Sequence, residues 1–566
     1  MRTLRVVYFS PQAHALEAMA GELTDVGVQA RLDGDQLSVQ LDDDTTLHLA
    51  HELNPAGVRR RLSREYVSFV LVEIRPGRGG PSFEARCHGV ESLIAELDHA
   101  SDVELRYGFH RIGLLVSDEA NESLESFLLN LGAYGIRLAW RARAGEQGFA
   151  RRALEAVSVA IRHRRVGKKA LCLAAGGTTG IFFELGVLKC LQDCLPPGAI
   201  NDMDMYFGIS AGAVVGSLLA VGYSVDEFMA AVAGQTHTRM NPIDFRLIRR
   251  PNYNFGVASR RVLQAVFSGA RTMQRVLRGK TSGSSDSLAT EYRSLWAPPF
   301  TAEVLERYLR ETFERPGASN RFEDLDRELY VGATDLDTRR HTLFGTKDAP
   351  PATISKAVQA SVSFNPVFSP VRIGESFFED GAVTRTSNMS EAIERDATLV
   401  LIIDPFLPHV SRQPGLHIGR SLFYHVDQNI RTMSYTRFAN ARKWVLRRHP
   451  EVSTYTFFPS NRQRRLLADN PMDSRHFTQI WRGAYLGTLA HLERCGPKLA
   501  GDLAAHGLDL SLDRARIVAA QLEETDNPEL PDFYPQRLLD RHQPTLTLKR
   551  QKAPESRVLS APTDGR

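Results

Sequence analysis

A five-residue motif, Gly208-Ile-Ser-Ala-Gly212, constrains the fold of this 566-residue chain more than any other feature of its sequence. An apolar run, residues 203–209, leads into the motif, and the small residues 213–220 that follow favour a helix. Glycines on both sides of a serine permit a sharp turn at which strand and helix approach closely. The pattern predicts a strand–turn–helix unit that presents the Ser210 hydroxyl beside a helix N-terminus. A glycine turn that only packs a helix onto a sheet has the same pattern, so both interpretations stay open.

A glycine-rich turn lies about thirty residues upstream. Residues 170–175 read as a buried strand, Gly176-Gly-Thr-Thr-Gly180 follows, and residues 181–191 have the pattern of a helix. A glycine turn at the start of a helix presents free backbone N–H groups, which bind phosphate or stabilise an oxyanion. A Walker loop is excluded because Gly-Lys-Ser/Thr is missing, and a dinucleotide fingerprint does not fit. Its closeness to the serine motif favours the oxyanion interpretation.

A third motif, Phe377-Phe-Glu-Asp380-Gly381, places an aspartate at a turn after two aromatic residues. An Asp-Gly pair is common in ordinary turns, so by itself this motif predicts only a turn.

Taken together, the three motifs resemble those of the patatin-like phospholipases, and the resemblance covers residues 168–410. Further segments similar to the family's strands, helix and proline-containing loop are 333–338, 357–368 and 399–404. The resemblance implies a three-layer α/β/α sandwich that hydrolyses acyl esters of lipids without a metal or organic cofactor. It implies a dyad in which Ser210 is the nucleophile and Asp380 the general base. It also implies an oxyanion loop at Gly176, Gly177 and Gly180.

The sequence departs from the family pattern at three places. Ala175 stands where the family has the first glycine of its loop, Thr179 replaces a basic residue, and the usual Asn-x-Pro is missing after residue 382. An inactive scaffold that binds lipids or membranes is therefore kept as the alternative to a carboxylic-ester hydrolase of the phospholipase A type. A Ser–His–Asp triad is a second rival, and its candidate histidines are His341, His409 and His425.

The remaining chain divides into three further regions. Residues 1–150 alternate strand and helix patterns, which predicts an N-terminal α/β domain. It resembles a response-regulator receiver that lacks the acidic pair and the phosphoacceptor, and we expect it to bind a protein partner. A basic helical segment, residues 149–169, is predicted to be a solvated connector. Residues 411–543 are predicted to form a helical C-terminal region, and residues 544–566 a disordered tail.

One apolar stripe in the C-terminal region has helical spacing. Its members are Ile418, Leu422, Val426, Ile430 and Met433. Such a stripe ordinarily faces a core, so we predict that it packs against the rest of the protein.

The charge distribution favours binding to a membrane surface over binding to nucleic acid. The net charge is only +4, and no nucleic-acid recognition module is present. Residues 245–285 contain nine Lys/Arg and no Asp or Glu, interleaved with apolar residues. This segment predicts contact with an anionic membrane, although a solvated helix pair would have the same composition. With no export signal and no apolar span, we expect a cytoplasmic protein that is peripheral at the inner membrane face.

Overall fold

The computed structural model describes most of the chain. The described residues are 2–42, 45–76, 81–98, 107–117, 122–143, 146–162, 166–236, 239–243, 300–365, 367–449 and 451–535. The basic segment 245–285 and the predicted tail 544–566 lie outside them.

The described chain forms fifteen strands in two sheets. The strands are β1 Arg2–Phe9, β2 Ala30–Asp33, β3 Gln36–Asp42, β4 Thr45–Glu52, β5 Phe69–Glu73, β6 Ile112–Ser117, β7 Leu138–Ala142, β8 Lys168–Leu173, β9 Met205–Ile209, β10 Glu328–Asp335, β11 His341–Phe344, β12 Val371–Ile373, β13 Ser376–Asp380, β14 Ala397–Ile403 and β15 Ser453–Phe457.

Fifteen α-helices connect and cover these strands within the described residues. They are α1 Ala15–Asp25, α2 Pro55–Arg64, α3 Phe83–Asp98, α4 Glu122–Tyr134, α5 Phe149–Arg162, α6 Gly177–Cys194, α7 Ala211–Val221, α8 Val225–Val232, α9 Glu303–Phe313, α10 Ile354–Ser361, α11 Met389–Ile393, α12 Leu422–Arg448, α13 Asn461–Asp469, α14 Phe477–Ala505 and α15 Asp513–Glu524. No described helix has both the length and the apolarity that crossing a bilayer requires.

The first sheet has the strand order β2-β3-β4-β1-β5-β6-β7. Strands β4, β1, β5, β6 and β7 are parallel, while β2 and β3 are added antiparallel at one edge. The antiparallel edge was not predicted, because β3 is only half buried and its sequence is rich in polar residues. Helix α5 buries Phe149, Leu154 and Val157 in the core of this sheet. The segment predicted to be a solvated connector is therefore packed along most of its helix.

The second sheet has the order β12-β13-β10-β9-β8-β14-β15, with β11 paired to β10. Side chains on successive residues of β8 enter opposite cores. Leu171 and Leu173 join a core built with α6, α7 and α14, whereas Ala170 and Cys172 join one built with α11 and α12. Because a strand alternates its faces, helices cover both sides of the sheet. The three-layer α/β/α sandwich implied by the sequence is confirmed.

The described part of the C-terminal region is mostly helical, as predicted, and it also contains one strand that the sequence analysis did not predict. Strand β15 extends the second sheet in parallel beside β14. Helix α14 packs on α6 so closely that a Cβ atom at Gly186 would lie 2.7 Å from Ala484 Cβ. This region completes the sandwich, because β14 would otherwise expose an unpaired edge.

The prediction that the apolar stripe of residues 418–433 packs against the rest of the protein is wrong. Ile418, Leu422 and Met433 are 83%, 75% and 64% exposed. The buried face of α12 lies on the other side, at Tyr424, Arg431 and Phe438 among others. Because the buried face of α12 includes Arg431, Ser434 and Arg442, the apolar periodicity does not show which face packs.

A buried ion pair joins the first sheet to a helix that packs on the second sheet. The Arg111 guanidinium, beside β6, donates to Asp502 Oδ1 of α14 at 2.9 Å, and the Tyr455 hydroxyl donates to Asp502 Oδ2 at 2.7 Å. Nearby, a Cβ atom at Gly501 would lie 2.1 Å from the Tyr66 ring. The N-terminal layers therefore contact the sandwich through matched charge and shape.

Candidate active site

Ser210 occupies a strained turn between β9 and α7. Its φ of 53° and ψ of −116° are rare for a residue with a side chain. The flanking glycines are needed for space. A Cβ atom at Gly208 would lie 2.5 Å from Ala213 Cα, and one at Gly212 would lie 2.3 Å from the Leu173 carbonyl. The motif therefore forms the predicted sharp turn, with the helix N-terminus held against the sheet.

Strand register brings Asp380 to the same place. Gly332 of β10 is paired with Ile209, and the next residue, Ala333, is paired with Asp380 of β13. The turn that follows also lies close, since a Cβ atom at Gly381 would be 2.3 Å from the Gly332 carbonyl oxygen. Two residues that are 170 positions apart in the chain thus meet at one edge of the sheet.

The Asp380 carboxyl is buried. The Ala382 N–H donates to Asp380 Oδ1 at 2.8 Å. Burial raises the pKa of Asp380 to about 7, and the Ala382 N–H and the nearby Ser210 side chain limit the rise. A carboxyl with this pKa can accept and return a proton near neutral pH.

Ser361, at the end of α10, hydrogen-bonds to the backbone of the Ser210 turn. The Ser210 N–H donates to Ser361 Oγ at 2.9 Å, and the Ser361 hydroxyl donates to the Gly332 carbonyl at 2.6 Å. Sequence reasoning placed Ser361 in a family-like helix but assigned it no role. A buried serine at a helix end gives no sequence signal that it will bind a distant turn.

The glycine loop begins α6 next to this turn. Gly177 has a φ of 63°, and a Cβ atom at Gly180 would lie 3.4 Å from Ala211 Cβ. Among the described residues, the backbone N–H groups of Gly176, Gly177 and Thr178 have no hydrogen-bond partner. The Gly180 N–H instead donates to the Gly176 carbonyl at 3.0 Å. Gly180 thus lets the loop pack closely against Ala211, and the N–H groups that have no partner belong to the residues before it.

Thr179, which replaces the family's basic residue, faces three backbone carbonyls. Its hydroxyl is 3.5 Å from Gly176 O, 3.4 Å from Leu467 O and 3.4 Å from Pro471 O. Arg431 of α12, which is paired with Asp427, contacts one of these carbonyls. The buried Arg431 guanidinium donates to Leu467 O at 3.2 Å and to Pro405 O at 3.3 Å.

The contacts of Arg431 stabilise the glycine loop indirectly, because Arg431 binds the Pro405 carbonyl and the Pro405 ring packs against the loop. A Cβ atom at Gly176 would lie 2.6 Å from Pro405 Cγ. Two buried carboxyls, Glu184 and Asp404, lie behind the same loop. Burial raises the pKa of Asp404 to about 6 and the pKa of Glu184 well above its usual range, because neither carboxylate is easily charged there.

The candidate triad histidines lie elsewhere. His341 Nδ1 is 3.0 Å from Thr384 Oγ1, and burial lowers the pKa of His341 to about 4. His409 is hydrogen-bonded to Tyr424 at 3.3 Å, and the His425 ring contacts the same tyrosine. In the described part of the chain, none of the three hydrogen-bonds to Ser210 or Asp380. Nor do three or more His, Cys, Asp or Glu side chains converge there as a metal site would require.

Comparison with known proteins gives one family and several partial relatives. Residues 171–393 match the family model described as patatin-like phospholipase. An uncharacterized protein, R571, of Acanthamoeba polyphaga mimivirus is 25% identical over 221 residues, which cover 38% of this chain and 58% of that protein. The cUMP-AMP-activated phospholipase of Escherichia coli is 40% identical over 62 residues, 11% of this chain and 19% of that enzyme. The chain thus spans less than two thirds of either relative.

Among solved structures, VipD from Legionella pneumophila is similar to this chain. The two share 15% sequence identity with a TM-score of 0.24, and the match covers 63% of this chain and 76% of VipD.

Proposed function

Residues 171–393 form a patatin-like phospholipase domain, and from this premise we propose that the protein is a serine acyl-ester hydrolase that acts on phospholipids. The observation that carries the proposal is the strand register that brings the buried Asp380 next to Ser210 at its strained turn. The unpartnered N–H groups of the glycine loop, beside Ser210, support it further.

The proposed reaction begins with a proton transfer. Ionised Asp380 accepts the proton of the Ser210 hydroxyl as Oγ attacks the ester carbonyl carbon. The carbonyl oxygen becomes negatively charged, and the N–H groups of Gly177, Thr178 and Ala211 are the donors available to it at the two helix N-termini. Protonated Asp380 then gives its proton to the leaving alkoxide, which leaves an acyl group on Ser210.

Release of the fatty acid repeats these steps with water. Asp380 accepts a proton from the water that attacks the acyl ester and returns it to Ser210 Oγ. One bond to the acyl carbon forms and one breaks in each half-reaction, so the residues end as they began. No proton acceptor other than Asp380 is required, and within the described residues His341 and His409 hydrogen-bond to Thr384 and Tyr424 rather than to Ser210.

The alternative function is an inactive scaffold that binds lipid on the same fold. The replacements Ala175 and Thr179 motivate it. Two contacts favour activity over this alternative: Thr179 keeps the loop closed through backbone carbonyls, and Arg431 brings a buried cation to the same place. We therefore propose that the loop retains its catalytic geometry without its own basic residue.

Ester hydrolysis by purified protein tests the proposal. We expect wild type to hydrolyse a short-chain acyl ester and a phospholipid, and both Ser210→Ala and Asp380→Asn to lower kcat at least 10³-fold. Ser217→Ala is a matched control, because Ser217 is a buried serine in the same helix that hydrogen-bonds only to the Val214 carbonyl. Equal rates for wild type and Ser210→Ala would refute the enzyme proposal. Activity in Asp380→Asn together with inactivity in His341→Ala would favour a histidine triad.

We further propose that residues 1–150 are a separately folding domain that docks on the hydrolase and binds a protein partner. The Arg111–Asp502 ion pair supports docking, because a buried pair aligns two surfaces in one orientation. Because α5 is packed in the core of the first sheet, limited proteolysis between α5 and β8, within the predicted range of residues 145–170, should leave two folded fragments. Resistance to cleavage there, with a single unfolding transition, would count against a separate domain.

A further inference from the structure

Helix α12 carries an exposed apolar face opposite its buried face. The side chains on it are Leu422, Val426, Met433 and Trp444, which we call the α12 stripe. With 3.6 residues per turn, they fall within about 40° of one another around the helix. Leu422 is 75% exposed, Met433 64% and Trp444 60%. A helix that merely covers a sheet has polar residues on its outer face, so an apolar stripe there indicates a partner.

The charge around the stripe selects an anionic partner. Residues 409–449 contain eight Lys/Arg and a single acidic residue, Asp427. Asp427 is paired with the buried Arg431 at 2.6 Å, so it does not balance the exposed cations. Those near the stripe include Arg437 and Arg448, and the Arg448 guanidinium lies 5.2 Å from the centre of the Trp444 ring. Arginine beside tryptophan suits the boundary between lipid head groups and acyl chains.

The stripe borders the proposed active site. Arg437, on the same side of α12, donates to Ala382 O and Val383 O, both at 2.9 Å. These carbonyls belong to the turn directly after Asp380, and the Val383 side chain is itself exposed. Arg437 therefore links the stripe side of α12 to the turn that follows Asp380.

We propose that the α12 stripe, with Ile418 before it, docks on the surface of an anionic phospholipid bilayer and holds Ser210 and Asp380 next to the substrate. This inference rests on the proposed phospholipase function. A bilayer fits better than a protein partner, because the stripe joins dispersed cations and apolar side chains along one helix face and leads to a lipid-hydrolysing site. A second copy of this chain would bring like charges together across the stripe.

Vesicle co-sedimentation with full-length protein tests docking separately from catalysis. All binding measurements use the Ser210→Ala protein, so no vesicle is hydrolysed. The vesicles are pure phosphatidylcholine or phosphatidylcholine with 30% phosphatidylglycerol. We expect preferential binding to the anionic vesicles, a loss of at least about tenfold in Leu422→Gln/Met433→Gln, and weaker binding at high salt. Leu129→Gln, at a leucine of α4 that is 78% exposed, is the matched control and should bind as the parent does.

Two further readouts complete the test. On vesicle binding, Trp444 emission should shift to shorter wavelength, and the shift should vanish in Trp444→Phe. In the active protein, Leu422→Gln/Met433→Gln should lose vesicle hydrolysis about tenfold while hydrolysing a soluble short-chain ester at the wild-type rate.

Equal binding by the stripe variant and its parent, or no binding to either vesicle, would overturn the proposal. So would a change of oligomeric state in the stripe variant without a change in vesicle binding. If instead wild type binds anionic vesicles through the stripe but hydrolyses neither substrate, docking stands and the proposed enzymatic function fails.

Discussion

Replacing Asp380 by asparagine should abolish activity and at the same time stabilise the protein above neutral pH. The carboxyl is buried, and its pKa is raised from the ordinary value of 3.8 to about 7. Because the folded-state pKa is raised, the stability associated with Asp380 is fully present below pH 4 and is lost as pH rises through about 7. Asparagine keeps the shape of aspartate and does not ionise. Its oxygen can accept the Ala382 N–H, and its amide group can donate to Ser210 Oγ.

The size of the effect follows from the two pKa values. Each pH unit between them costs the wild type about 1.4 kcal/mol, so the penalty is about 2 kcal/mol at pH 5 and about 4 kcal/mol at pH 8. Asp380→Asn avoids this penalty. For a domain of 150–250 residues, the advantage in Tm should therefore grow by roughly 5–10 °C between these pH values.

Thermal unfolding of wild type and Asp380→Asn across pH 5 to 8 measures the difference. Ser217→Ala is the control, because it retains both Asp380 and Ser210 and should follow the pH dependence of the wild type. A Tm difference between Asp380→Asn and wild type that stays constant from pH 5 to 8 would refute the raised pKa. A lower Tm for Asp380→Asn at pH 8 would show that the ionised carboxylate is stabilised by its surroundings.

Three further outcomes are expected from the same site. Because Asp380 must be ionised to accept a proton, kcat/KM should fall about tenfold per pH unit below pH ~7 and level off above it; a flat profile from pH 5 to 7 would contradict this. Gly212→Ala should lower the free energy of unfolding by at least ~2 kcal/mol in urea, since its Cβ would lie 2.3 Å from a backbone carbonyl of β8, whereas Gly132→Ala, which has open space, should not destabilise. Ser361→Ala leaves the Ser210 N–H without its acceptor and should lower kcat roughly 10- to 100-fold with KM unchanged, and an unaltered kcat would show that the hydrogen bond does not hold the turn.

Much of the site follows from local sequence because it depends on local sterics. A side chain at Gly208 or Gly212 would overlap neighbouring backbone, so the spacing of the glycines around Ser210 predicts the turn directly. Gly177 has a positive φ, which explains the glycine where the loop begins its helix. The alternation of strand and helix patterns predicts an α/β fold for residues 1–150, whereas the three-layer sandwich followed from the resemblance to the patatin-like phospholipases.

Long-range pairing could not be predicted in the same way. Ser361 and Arg431 reach the site from two separate helices, and their local sequences resemble those of ordinary helical residues. The edge strand β15 was missed because its local pattern lies between two long helices in a region of helical periodicity. Each of these contacts depends on the order of strands in the sheet, which no short segment encodes.

The sequence by itself determined the local elements of the candidate site: a serine at a strained turn, a glycine-rich helix start, and an aspartate at a glycine turn. Those features depend on the shapes of a few adjacent residues. Tertiary structure alone decided that β9, β10 and β13 place Asp380 against Ser210, and that burial there shifts its pKa to about 7. It also decided that the α12 stripe is exposed, because the buried face of α12 is held by polar contacts such as those of Arg431, which apolar periodicity does not reveal.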